Sequence, residues 1–202
     1  MQKKIFIILS IVLVLVLCIW VVSTPGLISQ KSCFDYEDWS DMQDEPWMII
    51  TGYKDSKYCS KDIVMPSEIK GVPVKEIGRG AFFMKRVQSV VLPEGLEHIK
   101  EAAFFGNSID TLIIPSSVIG VYELAFYGNE ITELIIEDGV VHILDQAFYN
   151  NKLESIIIPN SVGDLQFGAF MNNPISEIII DREDNIFADE WEEIGFPIEL
   201  LP

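Results

Sequence analysis

The chain is poor in the residues that most often carry chemistry. Its 202 residues include two histidines and three cysteines. The spacings CxxC, HExxH and GxSxG do not occur, and no glycine-rich loop could cradle a phosphate. A catalytic centre needs a nucleophile or general base with a partner to orient it. No enzyme, metal site or cofactor is therefore expected. Basic residues are also scarce, 14 Lys and Arg against 31 Asp and Glu, for a net charge of −17. Lys3 and Lys4 are two of the 14, so residues 24–202 hold 12 bases against all 31 acids, a net charge of −19. A field of that sign repels nucleic acid and suits cationic partners or bridging divalent ions, besides keeping the chain soluble.

What is present is a period. Ala-Phe pairs fall at Ala81-Phe82, Ala103-Phe104, Ala125-Phe126, Ala147-Phe148 and Ala169-Phe170, 22 residues apart each time. A fixed period of this length marks a solenoid, in which each repeat is a structural unit stacked on the last. Within each repeat the apolar spacing is apolar-x-x-apolar-x-apolar. Val87, Val90 and Leu92 recur as Ile109, Leu112 and Ile114, and so on to Ile175, Ile178 and Ile180. The last pair alternates with period two, which places it on the core face of a strand. Pro93, Pro115 and Pro159 end the strand, with Glu137 and Asp181 in the other two copies. A second apolar pair follows, Leu96/Ile99, Val118/Val121, Val140/Ile143 and Val162/Leu165, with Val74/Ile77 as its first copy. Alanine fits a tight corner, and the phenylalanines should form a continuous core stack. Gly106-Asn107, Gly128-Asn129, Asn150-Asn151 and Asn172-Asn173 come next. Gly and Asn tolerate the positive φ that a coil corner needs. The second Asn of each coil is expected to cap backbone groups of neighbouring coils.

Before the repeats the chain changes character twice. Residues 5–22 carry no charge and follow Lys3 and Lys4. That run is just long enough to cross a bilayer as a helix, and the lysines orient it with the N-terminus inside. Residues 1–23 read either as a retained signal anchor or as a secretion signal cleaved before Thr24, where Val21 and Ser23 suit the peptidase. A lipid anchor at Cys18 is disfavoured, because Leu17 stands where a small residue is wanted. Residues 24–45 read as an acidic linker, with six acids in residues 34–45; Trp39 within it is free to dock on the cap that follows. Residues 46–80 read as an N-terminal cap and the start of the first repeat, with strands at residues 47–53 and 63–65. Cys33 and Cys59 either form a disulfide between linker and cap or remain as two free thiols.

These residues carry a resemblance. The stretch ITGY…DIVMPSEIKGVPVKEIGRGAF (residues 50–82), followed by repeats such as LIIPSSV…AFYGN, resembles the BspA-like leucine-rich repeat proteins of bacteria and some parasites. It covers residues 47–190, and its specificity lies in several columns recurring together. The resemblance implies a β-rich solenoid, a leucine-rich-repeat right-handed coil of five 22-residue repeats over residues 81–180, with N- and C-terminal caps. It implies an extracytoplasmic protein, in a family where several members are implicated in adhesion or host-protein binding. Two departures stand out: the period is slightly short of the family's common 23, and Glu137-Asp138-Gly139 replaces the usual Pro-Ser-Ser. Residues 180–187 resemble the family's D-x-x-x-N-x-aromatic coil. Trp191 and Glu192 then break the Ala-Phe register, so residues 181–202 read as a polar C-terminal cap.

Three candidate sites follow. His98 and His142 share a column two coils apart, roughly 10 Å at about 4.8 Å per coil, too far to share a metal. Asp181, Glu183, Asn185, Asp189 and Glu192 match positions of a calcium loop, but Ile186 stands where its glycine belongs; an acidic cap explains them without a metal. The third is the outward face of the strands. Val91, Ile113, Ile135, Ile157 and Ile179 sit between the core residues of each strand, where polar residues are expected. With Ser89, Thr111, Glu133, Ser155 and Glu177 on the same face, they are expected to form an exposed apolar stripe with a polar rim. The expected function is an extracytoplasmic binding module, tethered through residues 5–22 or secreted. Its strand face would hold a protein or glycan. The alternative is a structural surface protein that self-associates through the same stripe.

Overall fold

Alternating apolar residues make each repeat one coil with three sides. The structure, a computed structural model, describes residues 32–39, 46–180 and 191–197. The first side carries the longer strands: β3 (Asp62–Val64), β6 (Ser89–Val91), β8 (Thr111–Ile114), β10 (Glu133–Ile136), β12 (Ser155–Ile158) and β14 (Glu177–Ile180). They pair in parallel as β3–β6, β8–β10 and β12–β14. The second side carries short strands built on the second apolar pair: β7 (His98–Ile99), β9 (Gly120–Val121), β11 (His142–Ile143) and β13 (Asp164–Leu165). They extend one sheet from β1 (Phe34–Asp38), β2 (Met48–Tyr53) and β5 (Val72–Ile77), with β4 (Glu68–Ile69) antiparallel to β5. The third side is the Ala-Phe turn.

The turn is where the coils lock together. Phe82, Phe104, Phe126, Phe148 and Phe170 are all 0% exposed. Consecutive rings lie 4.8, 5.1, 5.5 and 5.4 Å apart with planes within 8° of parallel, an offset stack. Tyr53 extends the stack at one end and Phe196 at the other. Beside it runs the asparagine ladder. Asn129 Nδ2 donates to the carbonyls of Phe126 in its own coil, at 3.1 Å, and Phe104 in the coil before, at 2.9 Å. Its Oδ1 accepts the amide of Ile109 at 3.2 Å. Asn107, Asn151 and Asn173 repeat the pattern. The residue before each ladder asparagine has positive φ, as expected at Gly106, Gly128, Asn150 and Asn172. A second positive-φ column, Gly80, Ala102, Leu124, Gln146 and Gly168, lies just before the Ala-Phe pairs; with three side chains larger than glycine, it has no turn signature in the sequence.

Three features differ from the sequence reading. First, the stack of coils begins earlier. β3 and β5, in the segment read as the cap and the start of the first repeat, pair with β6 and β7 as a full coil of their own. The spacing is 22 residues from Glu76 to His98 but 27 from Asp62 to Ser89, because the β4–β5 hairpin is inserted. That insertion hides the coil from a strict period. Second, the linker assigned to residues 24–45 contains a strand. β1 pairs antiparallel with β2, Phe34 is buried, and Cys33 and Cys59 form a disulfide. The acids at Asp35, Glu37 and Asp38 face outward, so composition masks an alternating strand. Trp39 stacks on Trp47 at 6.0 Å. Third, the C-terminal end is closed by an apolar plug rather than by polar residues alone. A short helix, α1 (Trp191–Ile194), brings Ile194 and Phe196 into the core. The residues of the proposed anchor, 5–22, and most of the calcium-like pattern lie outside the described residues. Among the described residues no helix is long and apolar enough to cross a membrane.

The stack predicts its own energetics. Phe126 touches rings on both sides, so Phe126→Ala should cost about 3–5 kcal/mol in chemical denaturation, as buried phenylalanine truncations do. A change near zero would show that the column does not carry stability.

Candidate functional site

Strand geometry sorts the first side into inner and outer columns. Leu112 and Ile114 point inward and are 1% and 0% exposed, while Ile113 between them faces out. The register stacks like on like: Val64 against Val91, Ile113 against Ile135, Ile157 against Ile179. Val64 is a sixth member that the sequence reading missed, because its coil lies outside the strict period. All six are half-buried rather than openly exposed. The reason is mutual cover: β-branched side chains on strands about 4.8 Å apart shield one another's flanks. Only the outward edges remain for a partner.

The rim is more acidic than a polar border requires. Ser89 and Thr111 are half-buried, whereas Glu133, Ser155 and Glu177 are exposed. Asp110, Glu130 and Glu154 are exposed beside them, and Glu130 pairs with Lys152. Beyond the strand ends lie Glu94 and Asp138, also exposed. Here the fourth coil's departure from Pro-Ser-Ser has a structural role. Glu137 accepts the amide of Ser116 at 2.9 Å, and Asp138 that of Ser161 at 3.1 Å. Gly139 has φ 144°, and a Cβ there would lie 2.1 Å from the Ser116 carbonyl oxygen. Its amide is accepted by Ser161 Oγ, as the Gly95 amide is by Ser117 Oγ one pair of coils earlier.

Two further surfaces were not read from the sequence. Phe83, Phe105, Tyr127 and Tyr149, each following a core phenylalanine, stack at 5.0, 4.7 and 5.0 Å along the outside of the turn. The signal was there, an aromatic at the same repeat position four times. On the second side, Ile119 and Val141 occupy neighbouring coils and are 40% and 36% exposed. Among the described residues no group of three or more His, Cys, Asp or Glu could hold a metal ion.

Comparison with known proteins places this architecture. The model of the BspA type leucine rich repeat region matches six copies over residues 75–190, more than half of the chain. The sequence reading counted five. The pneumococcal vaccine antigen PcpA superposes with a TM-score of 0.61 at 17% identity, over 79% of this chain and 51% of the antigen. A leucine-rich repeat protein from Bacteroides capillosus gives a TM-score of 0.47 at 20% identity, over 74% of this chain and 95% of that one. A leucine rich cell surface protein from Faecalibacterium prausnitzii gives 0.45 at 18% identity, over 73% and 53%. The chain thus spans about half the length of the antigen and of the Faecalibacterium protein. At these identities the likeness is one of fold. No curated protein matches the chain.

The histidines are separate, as their spacing implies: His98 pairs with Gly120, and Gly120 with His142. His142 meets Asp164 at 3.1 Å on the surface. His98 sits edge-on to Tyr122, whose ring also carries Lys100, and its Nδ1 is buried without a hydrogen-bond partner. Burial, with Lys100 nearby, pushes His98 below the ordinary imidazole range, and Glu97 opposes the shift only in part. The native side chain is therefore neutral where the unfolded one begins to charge. As pH falls through the ordinary value, the unfolded chain takes up the proton first, and stability drops. His98→Phe, which keeps the edge contact, should lose less thermal stability than the parent between about pH 7 and about pH 5. Equal acid sensitivity in the two proteins would exclude His98 as its source.

Proposed function

The chain belongs to the BspA-type leucine-rich repeat family, and on that premise we propose that it is an extracytoplasmic binding module whose first strand face holds a protein partner. The observation that supports this reading most is the stripe built from the in-register pairs Val64–Val91, Ile113–Ile135 and Ile157–Ile179, which neighbouring coils bring side by side. Stacked residues at one column merge into a continuous apolar surface whose remaining exposure a partner can cover. The Thr111, Glu133 and Ser155 column would supply polar contacts along its border. A glycan could use the same border, but the stripe itself offers aliphatic groups rather than the aromatic faces that sugars stack on. The absence of a nucleophile–base pair in the sequence supports binding rather than catalysis. Localisation outside the cytoplasm is supported by the Cys33–Cys59 disulfide, a bond that persists in oxidising compartments, and by the apolar run at residues 5–22 behind two lysines.

Replacing Ile113, Ile135 and Ile157 with Thr keeps β-branching and removes three outward apolar groups. Capture of a partner by the ectodomain should weaken at least about tenfold while the melting temperature moves little. Unchanged capture by a folded variant would move the binding site elsewhere. If the stripe instead joins two copies, sedimentation of the parent will show concentration-dependent dimers that the Thr variant lacks. Protease added to intact cells should degrade residues 24–202; full protection, in cells with accessible surfaces, would place the domain inside.

A further inference from the structure

Charge is not spread evenly along the solenoid. Residues 46–100 carry nine Lys and Arg against six Asp and Glu. Residues 101–180 carry one base, Lys152, against eleven acids. Counted with Asp35, Glu37 and Asp38 of β1, which pairs with β2 at the same end, the first length is balanced, so a near-neutral length and an acidic length succeed one another along the rod. The acidic length contains the part of the strand face where the stripe consists of Ile113, Ile135, Ile157 and Ile179. Asp110, Glu133 and Glu154 are exposed on one border of that stripe and Asp138 on the other. The single base pairs with Glu130 and Arg79 reaches Glu101, while Asp110, Glu133, Glu154 and Asp138 along the stripe have no basic partner among the described residues.

We propose that this half of the strand face docks a cationic polypeptide segment, one that carries Lys or Arg around apolar residues. The proposal rests on the strand face being the binding surface and adds the chemistry of what it binds. A second copy of the chain is a poor occupant. The excess of three bases in residues 46–100 cannot offset an excess of ten acids in residues 101–180, so two chains repel more than they complement. A bare divalent ion is also a poor occupant, because the described carboxylates do not converge to ligate one. A cationic segment satisfies both columns at once. Its apolar residues cover the stripe, and its ammonium or guanidinium groups reach carboxylates on either side. Electrostatic complementarity of this kind speeds encounter and excludes partners of the wrong sign.

The test uses two twelve-residue probes, one alternating lysine with valine and one alternating glutamate with valine, against the secreted or solubilised full chain. Three variants are compared with the parent. The first is Asp110→Asn, Glu133→Gln, Glu154→Gln on the strand face. The second is Glu101→Gln, Glu123→Gln, Asp145→Asn, which removes the same charge from one column on another side of the coil. The third is the Ile113, Ile135, Ile157→Thr variant. The lysine probe should bind and the glutamate probe should not. The first variant should weaken lysine-probe binding at least about tenfold, and the second by less than about twofold. Added salt should weaken the parent's binding far more than the first variant's. Equal loss in the two charge variants would overturn the proposal, since it would mean that the probe reads overall charge rather than this face. So would no binding of the lysine probe, or loss only in the Thr variant; the last result would leave the strand face standing with a different partner. Binding that survives the Thr variant but falls in the first variant supports the cationic partner and removes the apolar stripe from the earlier reading.

Discussion

The ladder of asparagines is the constraint from which the rest follows. At the four corners after Phe104, Phe126, Phe148 and Phe170 an asparagine side chain satisfies two carbonyls and one amide drawn from adjacent coils. Leaving such groups unpaired costs about 1–3 kcal/mol each, so each of these four coils must present its asparagine at the same place. That requirement favours a constant repeat length wherever coils follow one another directly. A constant length, in turn, brings each phenylalanine over the last and each outward isoleucine over its neighbour. The aromatic stack supplies apolar burial and the ladder supplies register. The strand face inherits its continuity from a corner on the other side of the coil.

Much of this was legible because repetition converts weak signals into strong ones. A single Ala-Phe or Asn in a turn says little, but four or five at one spacing identify corner, core and ladder together. The inner and outer columns of Leu112, Ile113 and Ile114 followed from alternation alone. What escaped was whatever broke the period or was diluted by composition. The first coil was legible only in its second half, at Val74 and Ile77, because the β4–β5 hairpin lengthens it and takes β3 out of the period. The strand at Phe34–Asp38 was hidden by its outward acids, and the plug at Phe196 by the polar residues before it. The degree of exposure of the stripe was also beyond reach, since it depends on how closely adjacent columns shield each other. The outer ladder from Phe83 to Tyr149 was visible in the alignment of repeats, yet it needed ring planes to become a surface.

Repetition also explains how the rod can present distinct surfaces. Core columns vary only among aliphatic side chains, and the Ala-Phe column not at all, since each side chain must match the ones above and below. The outward columns are free to differ from coil to coil. Charge varies in this way: the scaffold is the same at Arg86, Ser108, Glu130 and Lys152, while its sign is not. The face is therefore uniform in shape and graded in potential along its length.

The bond between Cys33 and Cys59 has a mechanical consequence. Tension applied through the chain before Cys33 enters the folded part at a residue joined covalently to position 59. The load passes across that link and bypasses residues 34–58, so the outermost strand cannot be peeled from its neighbour like the end of a zip. Force is delivered instead near β3 and the parallel coils behind it. Under shear or traction the first structural unit to yield is then a packed coil rather than the exposed edge strand, and reducing the bond shifts the weak point to the end of the rod.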